Sequence, residues 1–251
     1  MNKVVLITGS GKERVGNYVA HYLAERGYDI AIHYNSSRQD AEATVKQLSK
    51  KVRAAAFQAD ITQPKEVRTL VDKVVKEFGR IDVLVNAAAA FKATKLEDLS
   101  SDLAMAKQYL DFFNNVNLAG TYLVSLAVGD QMLKQGKGNY SIINIADWAV
   151  SRPYRNYLAY HPSKGGVLIL TRALANELAP GIRINSISPG PVMLPKDMPG
   201  KEKKKAIKAT LLKREGNPKN IAQTVLFLIE NDYVTGVNIP VDGGKTVKND
   251  E

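Results

Sequence analysis

The strongest constraint on the fold is an alternation. Short β-rich runs, "KVVLIT", "YDIAIHY", "VRAAAFQ", "IDVLVNA", "YSIINIA", "IRINSIS" and "VNIPV", recur along the 251 residues with amphipathic segments between them. Strands that are apolar almost throughout are buried on both faces, and helical connections set consecutive strands parallel. The spacing predicts an α/β chain, one parallel sheet of about seven strands with helices on both faces, in a single domain over residues 1–251. The stretch between the second and third runs, "NSSRQDAEATVKQLSKK", shows the unit. It opens on serines suited to cap a helix and then sets Ala41, Val45 and Leu48 on one face.

Composition narrows the chemistry. The chain has no cysteine, hence neither disulfide nor thiolate, and its three histidines, His21, His33 and His161, lack metal-ligand spacing, so no metal is expected. No apolar run approaches the roughly 18 to 20 residues of a membrane span, and no N-terminal segment has the make-up of a leader. The chain is read as soluble, unprocessed and, by default, cytoplasmic. A net charge of +10 suits an anionic partner. The densest basic run, "KEKKKAIKATLLKR" from Lys201 to Arg214, has Ala206, Ile207, Leu211 and Leu212 at roughly helical spacing. A solvated helix face is its plainest reading and substrate steering the next; nucleic acid is not expected, since no aromatic residues interleave with the lysines. Overlapping it, "PGPVMLPKDMPGKEKKK" breaks regular structure with four prolines and two glycines. A lid at about residues 190–213 is one expectation and a plain surface loop the other.

Directly after the first run comes "TGSGKERVGNYVAHYLAERG", Thr8 to Gly27. Gly9, Gly11 and Gly16 permit a tight turn and let a phosphate approach backbone N–H groups at a helix N-terminus. The spacing matches neither G-x-G-x-x-G nor a P-loop. Roughly 20 residues further on, where a carboxylate would bind a ribose 2′-hydroxyl, the chain reads "HYNSSR". Hydroxyls at Ser36 and Ser37, with Arg14 and Arg38 as ion partners, suit a 2′-phosphate and favour NADPH over NADH.

In the second half, Tyr160 and Lys164 stand four apart in a segment of helical character, so they share a face. An ammonium beside a phenol is expected to lower its pKa from about 10 towards neutrality. Asp147 interrupts "YSIINIA" and "DWAV" thirteen residues before Tyr160. It is either a helix cap or part of an active site.

Several motifs in one order resolve the choice. "TGSGKERVG", "AD" at Ala59 and Asp60, "VNAAA" at Val85 to Ala89, "NVNLAGTY" with Asn117, "YHPSK", "SPG" at Ser188 to Gly190 and "YVTGVNIPVDGG" together cover nearly the whole chain. The chain resembles the short-chain dehydrogenase/reductase family from end to end. That resemblance implies a Rossmann-type doubly wound sheet, a nicotinamide cofactor and hydride transfer. Most members carry serine where this chain has Asp147, and aspartate there is similar to the pteridine reductase branch. Arg14 before "VG", the strand end "HYNSS" and Phe91 after "NAAAA" point the same way.

The resemblance implies Asp147, Tyr160, Lys164 and Asn117 as the catalytic set, with Asn117 anchoring a water that links Lys164 to solvent. It implies a cofactor site of Gly9, Arg14, Val15, Gly16, His33, Tyr34, Asn35, Ser36, Ser37, Asp60, Ile61, Asn86, Ala87, Tyr160, Lys164, Pro189 and Gly190. Arg14, Phe91, Asp147, Trp148 and Tyr160 would meet a small-molecule substrate, a dihydropterin, with Phe91 stacking on its ring and Trp148 as a pocket wall; packing is the plainer role for both aromatics. The family's usual turn is one residue shorter than Thr8 to Gly16, which leaves open which of residues 10–13 touch phosphate. "NAAAA" lacks the polar side chains of relatives, so a 3-oxoacyl-thioester or other ketone reductase is the nearest alternative, and a non-catalytic NADPH- or nucleic-acid-binding protein the alternative of another class. The resemblance also implies a homo-oligomer, preferably a tetramer, paired through helices at about Asp102 to Lys134 and Tyr157 to Leu178.

Overall fold

The computed structural model describes residues 2–194 and 198–249. All seven β-rich runs form strands: β1 Val4–Thr8, β2 Asp29–Tyr34, β3 Ala54–Gln58, β4 Val83–Asn86, β5 Tyr140–Ile145, β6 Ile182–Pro189 and β7 Asn238–Val241. They make one sheet in the order β3-β2-β1-β4-β5-β6-β7, every pair parallel. β1 shows why such strands read as unbroken apolar runs. Val4 and Leu6 face one core while Val5 and Ile7 face the other, and a strand covered on both sides has no solvent face to mark with polar residues.

Helices α1 Val15–Ala24, α2 Arg38–Leu48 and α9 Pro218–Glu230 cover one face, through Val19, Leu23, Leu48, Ile221, Val225 and Leu228. Helices α3 Pro64–Phe78, α6 Gly120–Lys134 and α7 Tyr160–Leu178 cover the other, through Leu70, Val74, Val124, Val128, Met132 and Leu174. Two further helices, α4 Leu96–Ser101 and α5 Leu103–Phe113, follow β4, and α5 runs into α6 through a π-helical turn, Asn114–Ala119. That turn sets Asn117 inward, and widened turns of this kind recur at functional sites. Gly120, where that turn passes into α6, packs on Ile61: a Cβ there would lie 2.7 Å from Ile61 Cδ1.

The last helix to place, α8 Gly200–Lys208, lies in the basic run and has no buried side chain. The expected apolar stripe does not form. The helix stops at Lys208, Leu211 and Leu212 are exposed, and their N–H groups both donate to Gly243 O, which holds this stretch out of helix. Of the expected lid, Pro195 to Asp197 lie outside the described residues.

Strand order reverses between β1 and β4, where the connection from β1 runs to one side and that from β4 to the other. The crevice at the carboxyl ends of strands beside such a reversal is where α/β sheets bind ligands.

Candidate active site

At the nucleotide end the backbone does the shaping. Gly9 has φ +64, and a Cβ on it would lie 2.5 Å from Ala88 Cα, so the loops after β1 and β4 touch there with no room for a side chain. Gly16 brings α1 in less tightly, where a Cβ would lie 3.2 Å from Ala87 Cβ. Thr8 ties the two strand ends together, its hydroxyl accepting from the N–H groups of Ala87 and Ala88, both at 3.1 Å.

The long turn has a definite path. Ser10 is buried, donating from Oγ to Ile7 O. Gly11 lies against α2, where a Cβ would be 2.7 Å from Ser37 Oγ. Lys12, Glu13 and Arg14 are exposed, and Arg14 stands at the N-cap position of α1 with Val15 as its first residue. The extra length is thus folded towards the loop after β2, beside Ser37.

Three residues expected at the cofactor turn their side chains inward. His33 is fully buried; its Nδ1 accepts from Gly9 N–H at 3.1 Å and its Nε2 lies 3.0 Å from Ala59 O, so it braces the glycine turn from beneath. This fixes the tautomer with hydrogen on Nε2, and burial lowers its pKa, which suits the neutral ring. Tyr34 is buried in the core, and Asn86 reaches under the sheet end to Ser125 Oγ and Asn144 Oδ1, both at 2.9 Å. Arg38 pairs on the surface with Glu42 at 2.7 Å instead of turning to the crevice. Arg14 makes no ion pair among the described residues. Ser37 begins α2 yet makes no side-chain capping bond, so its hydroxyl is uncommitted there. Asn35 and Ser36 are exposed beside it.

Asp60 and Ile61 end the β3 loop. Asp60 Oδ1 accepts from Thr62 N–H and hydroxyl, at 2.9 and 2.8 Å, and Ile61 is buried against Gly120. Pro189 and Gly190 close the opposite side, Gly190 pressed on Asp242, where a Cβ would be 2.5 Å from its Cα.

The chemical centre lies between β5 and α7. Asp147 caps a helical turn and also meets Tyr160, one oxygen for each contact. Its Oδ1 accepts from Ala149 N–H at 2.8 Å and caps a short 3₁₀ turn, Trp148–Val150, while its Oδ2 accepts from Tyr160 O–H at 2.8 Å. Lys164 is buried with Tyr160 and donates to Ile145 O at 2.8 Å.

The expected lowering of the phenol does not occur in this arrangement. Burial raises the Tyr160 pKa, and the Asp147 carboxylate, by charge and by accepting its hydrogen bond, raises it further. The proton therefore stays on Tyr160. Burial also lowers Lys164 to about 8, against the opposing pull of Asp147. Asn117 spends its side chain on Ala90, accepting from its N–H at 2.7 Å and donating to its O at 3.1 Å, and on Ser163 Oγ at 3.0 Å. A water link to Lys164 would therefore have to use its main chain.

Aromatic rings form the wall beside this centre. Phe91 is 51% exposed, stacks on Tyr157 with centroids 4.7 Å apart and meets Tyr160 edge-on at 5.1 Å. Trp148 stacks on Tyr154 at 5.4 Å, and Lys245 Nζ sits 3.9 Å from its ring centroid. Much of Trp148 is thereby taken up by its neighbours, which makes it a packed wall. Residues Tyr154, Tyr157 and Lys245 were not singled out from sequence. The three-residue spacing of Tyr154, Tyr157 and Tyr160 ahead of α7 was the available signal; Lys245 had none, because its place depends on a turn of two glycines with positive φ, Gly243 and Gly244.

Among the described residues no cluster suits a metal and no helix is long and apolar enough to cross a membrane. A cavity of about 620 Å³ lies elsewhere, between the residues before α9 and β7, lined by Arg214, Asn220, Phe227 and Ile239; it holds none of the catalytic set.

Comparison with known proteins agrees with this geometry. The family model described as enoyl-(acyl carrier protein) reductase matches residues 11–246. The 3-oxoacyl-[acyl-carrier-protein] reductase FabG of Staphylococcus epidermidis is 36% identical over 253 residues, covering 97% of this chain and 99% of that protein. FolM, alternative dihydrofolate reductase 1, from Brucella canis, solved with NADP, superposes with a TM-score of 0.85 at 29% identity, over 100% of this chain and 96% of that one. The corresponding Brucella suis structure, also with NADP, gives 0.83 and 30% identity, over 98% and 96%. The chain belongs to the short-chain dehydrogenase/reductase family of NAD(P)-dependent oxidoreductases.

Proposed function

We propose that the protein is an NADPH-dependent pteridine reductase acting on a dihydropterin-type substrate, such as dihydrobiopterin, dihydromonapterin or dihydrofolate. The observation that carries this reading is the 2.8 Å bond from Tyr160 O–H to Asp147 Oδ2. Bound NADPH would supply the hydride. The chain's own residues manage the proton.

Reduction of a C=N bond needs a proton at nitrogen as hydride reaches carbon. Tyr160 holds that proton and hydrogen-bonds it to Asp147 Oδ2, so the two oxygens together form a relay that can deliver a proton to the substrate nitrogen. A ketone asks for something different, since its oxygen gains negative charge and an adjacent carboxylate opposes that. Serine at this place would donate to such an oxygen; an ionised aspartate does not. Lys164, one helical turn along α7 from Tyr160 and anchored on Ile145 O, would carry the ammonium that offsets charge left when the proton departs. Phe91, half exposed and next to Tyr160, offers a face to a flat ring.

The cofactor reading fits the residues present. The Gly9–Gly16 cradle admits a diphosphate at the N-terminus of α1, while the uncommitted Ser37 hydroxyl, Ser36 and Arg14 suit a 2′-phosphate where a carboxylate would repel it. Both FolM structures contain NADP. A homo-oligomer, preferably a tetramer, belongs to the same reading and is supported by exposed apolar residues on the long helices, including Phe112, Tyr122, Leu126 and Ile169.

The 36% identity to FabG favours a second reading, 3-oxoacyl-thioester reduction. Purified protein with NADPH, offered the three dihydropterins and an acetoacetyl thioester in parallel, separates them. Cofactor oxidation with a pterin alone supports the proposal; oxidation with the thioester alone contradicts it.

A further inference from the structure

The turn that Asp147 caps is held by two neighbours. Trp148, its first residue, stacks on Tyr154 with centroids 5.4 Å apart, and Tyr154 is fastened to α7, its O lying 3.0 Å from His161 Nε2. The second hold comes from the end of the chain. Lys245 Nζ lies 3.9 Å from the Trp148 ring centroid, and Arg152, two residues past the 3₁₀ turn, donates from Nη1 to Lys248 O. The C-terminal turn that carries Lys245 is itself closely built. Gly243 and Gly244 take φ +65 and +78, Asp242 Oδ1 accepts from Gly244 N–H at 2.9 Å, and its Oδ2 accepts from Thr246 N–H at 2.7 Å. The Leu211 and Leu212 N–H groups, both on Gly243 O, fix it from outside. With both Asp242 oxygens spent on backbone, Lys245 Nζ makes no hydrogen bond or ion pair among the described residues and lies over the indole instead. A half-buried ammonium in that place is attracted by the ring quadrupole.

We propose that Lys245 is a positioning residue of the active site: by holding the Trp148 ring it fixes the 3₁₀ turn whose capping carboxylate, Asp147, meets Tyr160. The turn transmits the hold because it is closed on itself. Asp147 Oδ1 accepts from Ala149 N–H at 2.8 Å, Asp147 O accepts from Val150 N–H at 3.3 Å, and Trp148 O accepts from Ser151 N–H at 3.2 Å. Trp148 and the carboxylate therefore move as one piece, and a displaced ring draws Oδ2 off its 2.8 Å bond to Tyr160 O–H. Misplacing a reacting group by about 1 Å costs up to about 100-fold in rate, so the hold is felt in kcat and not in cofactor affinity. This rests on the proton relay proposed above and on no choice among pterins.

The test is a double-mutant cycle in the full-length protein: Lys245→Ala, Asp147→Ser and the two combined, with Lys245→Arg as the conservative variant. With NADPH and dihydrobiopterin, Lys245→Ala lowers kcat about tenfold and leaves NADPH affinity within about twofold of wild type. Lys245→Arg, whose guanidinium also settles on aromatic faces, restores kcat to within about threefold. In the Asp147→Ser background Lys245→Ala changes kcat less than about twofold, because a residue that acts through Asp147 has nothing left to position. Trp148 is the one tryptophan of the chain, so its fluorescence reports the contact directly. Acrylamide quenching rises about twofold in Lys245→Ala, where the ring loses its cover, and stays at the wild-type level in Lys245→Arg. Unchanged kcat or quenching in Lys245→Ala, an equal loss of kcat in both backgrounds, no rescue by arginine, or a parallel loss of NADPH binding each overturns the proposal. Turnover of an acetoacetyl thioester and of no pterin overturns the pterin reading, and the same cycle run on the thioester then decides on Lys245. Wild-type protein that reduces neither overturns both.

Discussion

The two halves of the crevice are built from different material. At the nucleotide end, selectivity for shape comes from missing side chains: Gly9, where a Cβ would lie 2.5 Å from Ala88 Cα, Gly16 on Ala87 and Gly11 on Ser37 leave backbone as the binding surface. At the end proposed for substrate, side chains make the surface, with Tyr160 buried beside Phe91 and Tyr157, Asp147 half-buried on its hydroxyl and Lys164 buried on Ile145 O. A backbone surface suits a partner common to many reactions, because it reads phosphate geometry alone. A side-chain surface can be rewritten one residue at a time. Serine to aspartate at position 147 would be such a rewriting, leaving the cofactor half untouched.

If the halves are separable, lesions in each should have separate signatures. The largest effect is expected from Tyr160→Phe, which removes the proton and keeps the ring packed on Phe91 and Phe113. Its kcat should fall by about 10²–10⁴, while NADPH affinity, measured by titration, stays within a few-fold. A parallel loss of cofactor binding would show the halves to be coupled. The converse lesion is Gly9→Val. It forces a β-branched residue into φ +64 against Ala88, which should cost about 1–3 kcal/mol in denaturant unfolding and weaken NADPH by at least about tenfold, because the loop that cradles phosphate must shift.

A smaller effect follows from Lys164. Its folded pKa of about 8 lies below the ordinary 10.5 because burial disfavours the ammonium. The free enzyme needs that charge, so kcat/KM should fall as pH rises through about 8. Stability runs the other way. Below about 8 the folded protein carries a buried charge at a cost, and between about 8 and 10.5 the unfolded chain binds more protons, so stability rises with pH. Lys164→Met should accordingly melt higher than wild type at pH 7, with the difference shrinking over that window; a lower melting temperature at pH 7 would show that Lys164 stabilises the fold. The smallest effect is at the cofactor's far end. Ser37→Ala should reduce preference for NADPH over NADH by about three- to tenfold with the pterin KM unchanged, read from the ratio of kcat/KM values for the two cofactors.

The same division explains what could be read without coordinates. All seven strands were legible because burial on both faces leaves a run of apolar residues, as in β1. The positions of Tyr160, Lys164 and Asn117 came from resemblance, since Tyr-x-x-x-Lys by itself is ordinary helix. His33 was assigned to the cofactor, and only the approach of the Gly9 and Ala59 backbones shows it as a brace beneath the turn. The serines after β2 were expected to cap α2; Ser37 takes the position without the bond. For the basic run, helical spacing predicted an apolar face, but the helix stops at Lys208 and the Leu211 and Leu212 N–H groups donate to Gly243 O instead. For Asp147 the spacing alone left cap and catalysis open and the resemblance favoured catalysis; the structure shows why the cap could not be set aside, since one carboxylate oxygen caps the 3₁₀ turn while the other meets Tyr160.

The most direct test of the central claim is Asp147→Ser. Serine can still accept from Ala149 N–H, so the 3₁₀ turn survives, while the carboxylate partner of the Tyr160 proton is lost. Turnover of dihydrobiopterin and of an acetoacetyl thioester should be measured for wild type and variant, with NADPH binding as the control for folding. Wild type should reduce the pterin, and the variant should lose about 10²-fold or more of that activity with NADPH binding retained. Unchanged pterin turnover in the variant would show Asp147 to be a helix cap and nothing else.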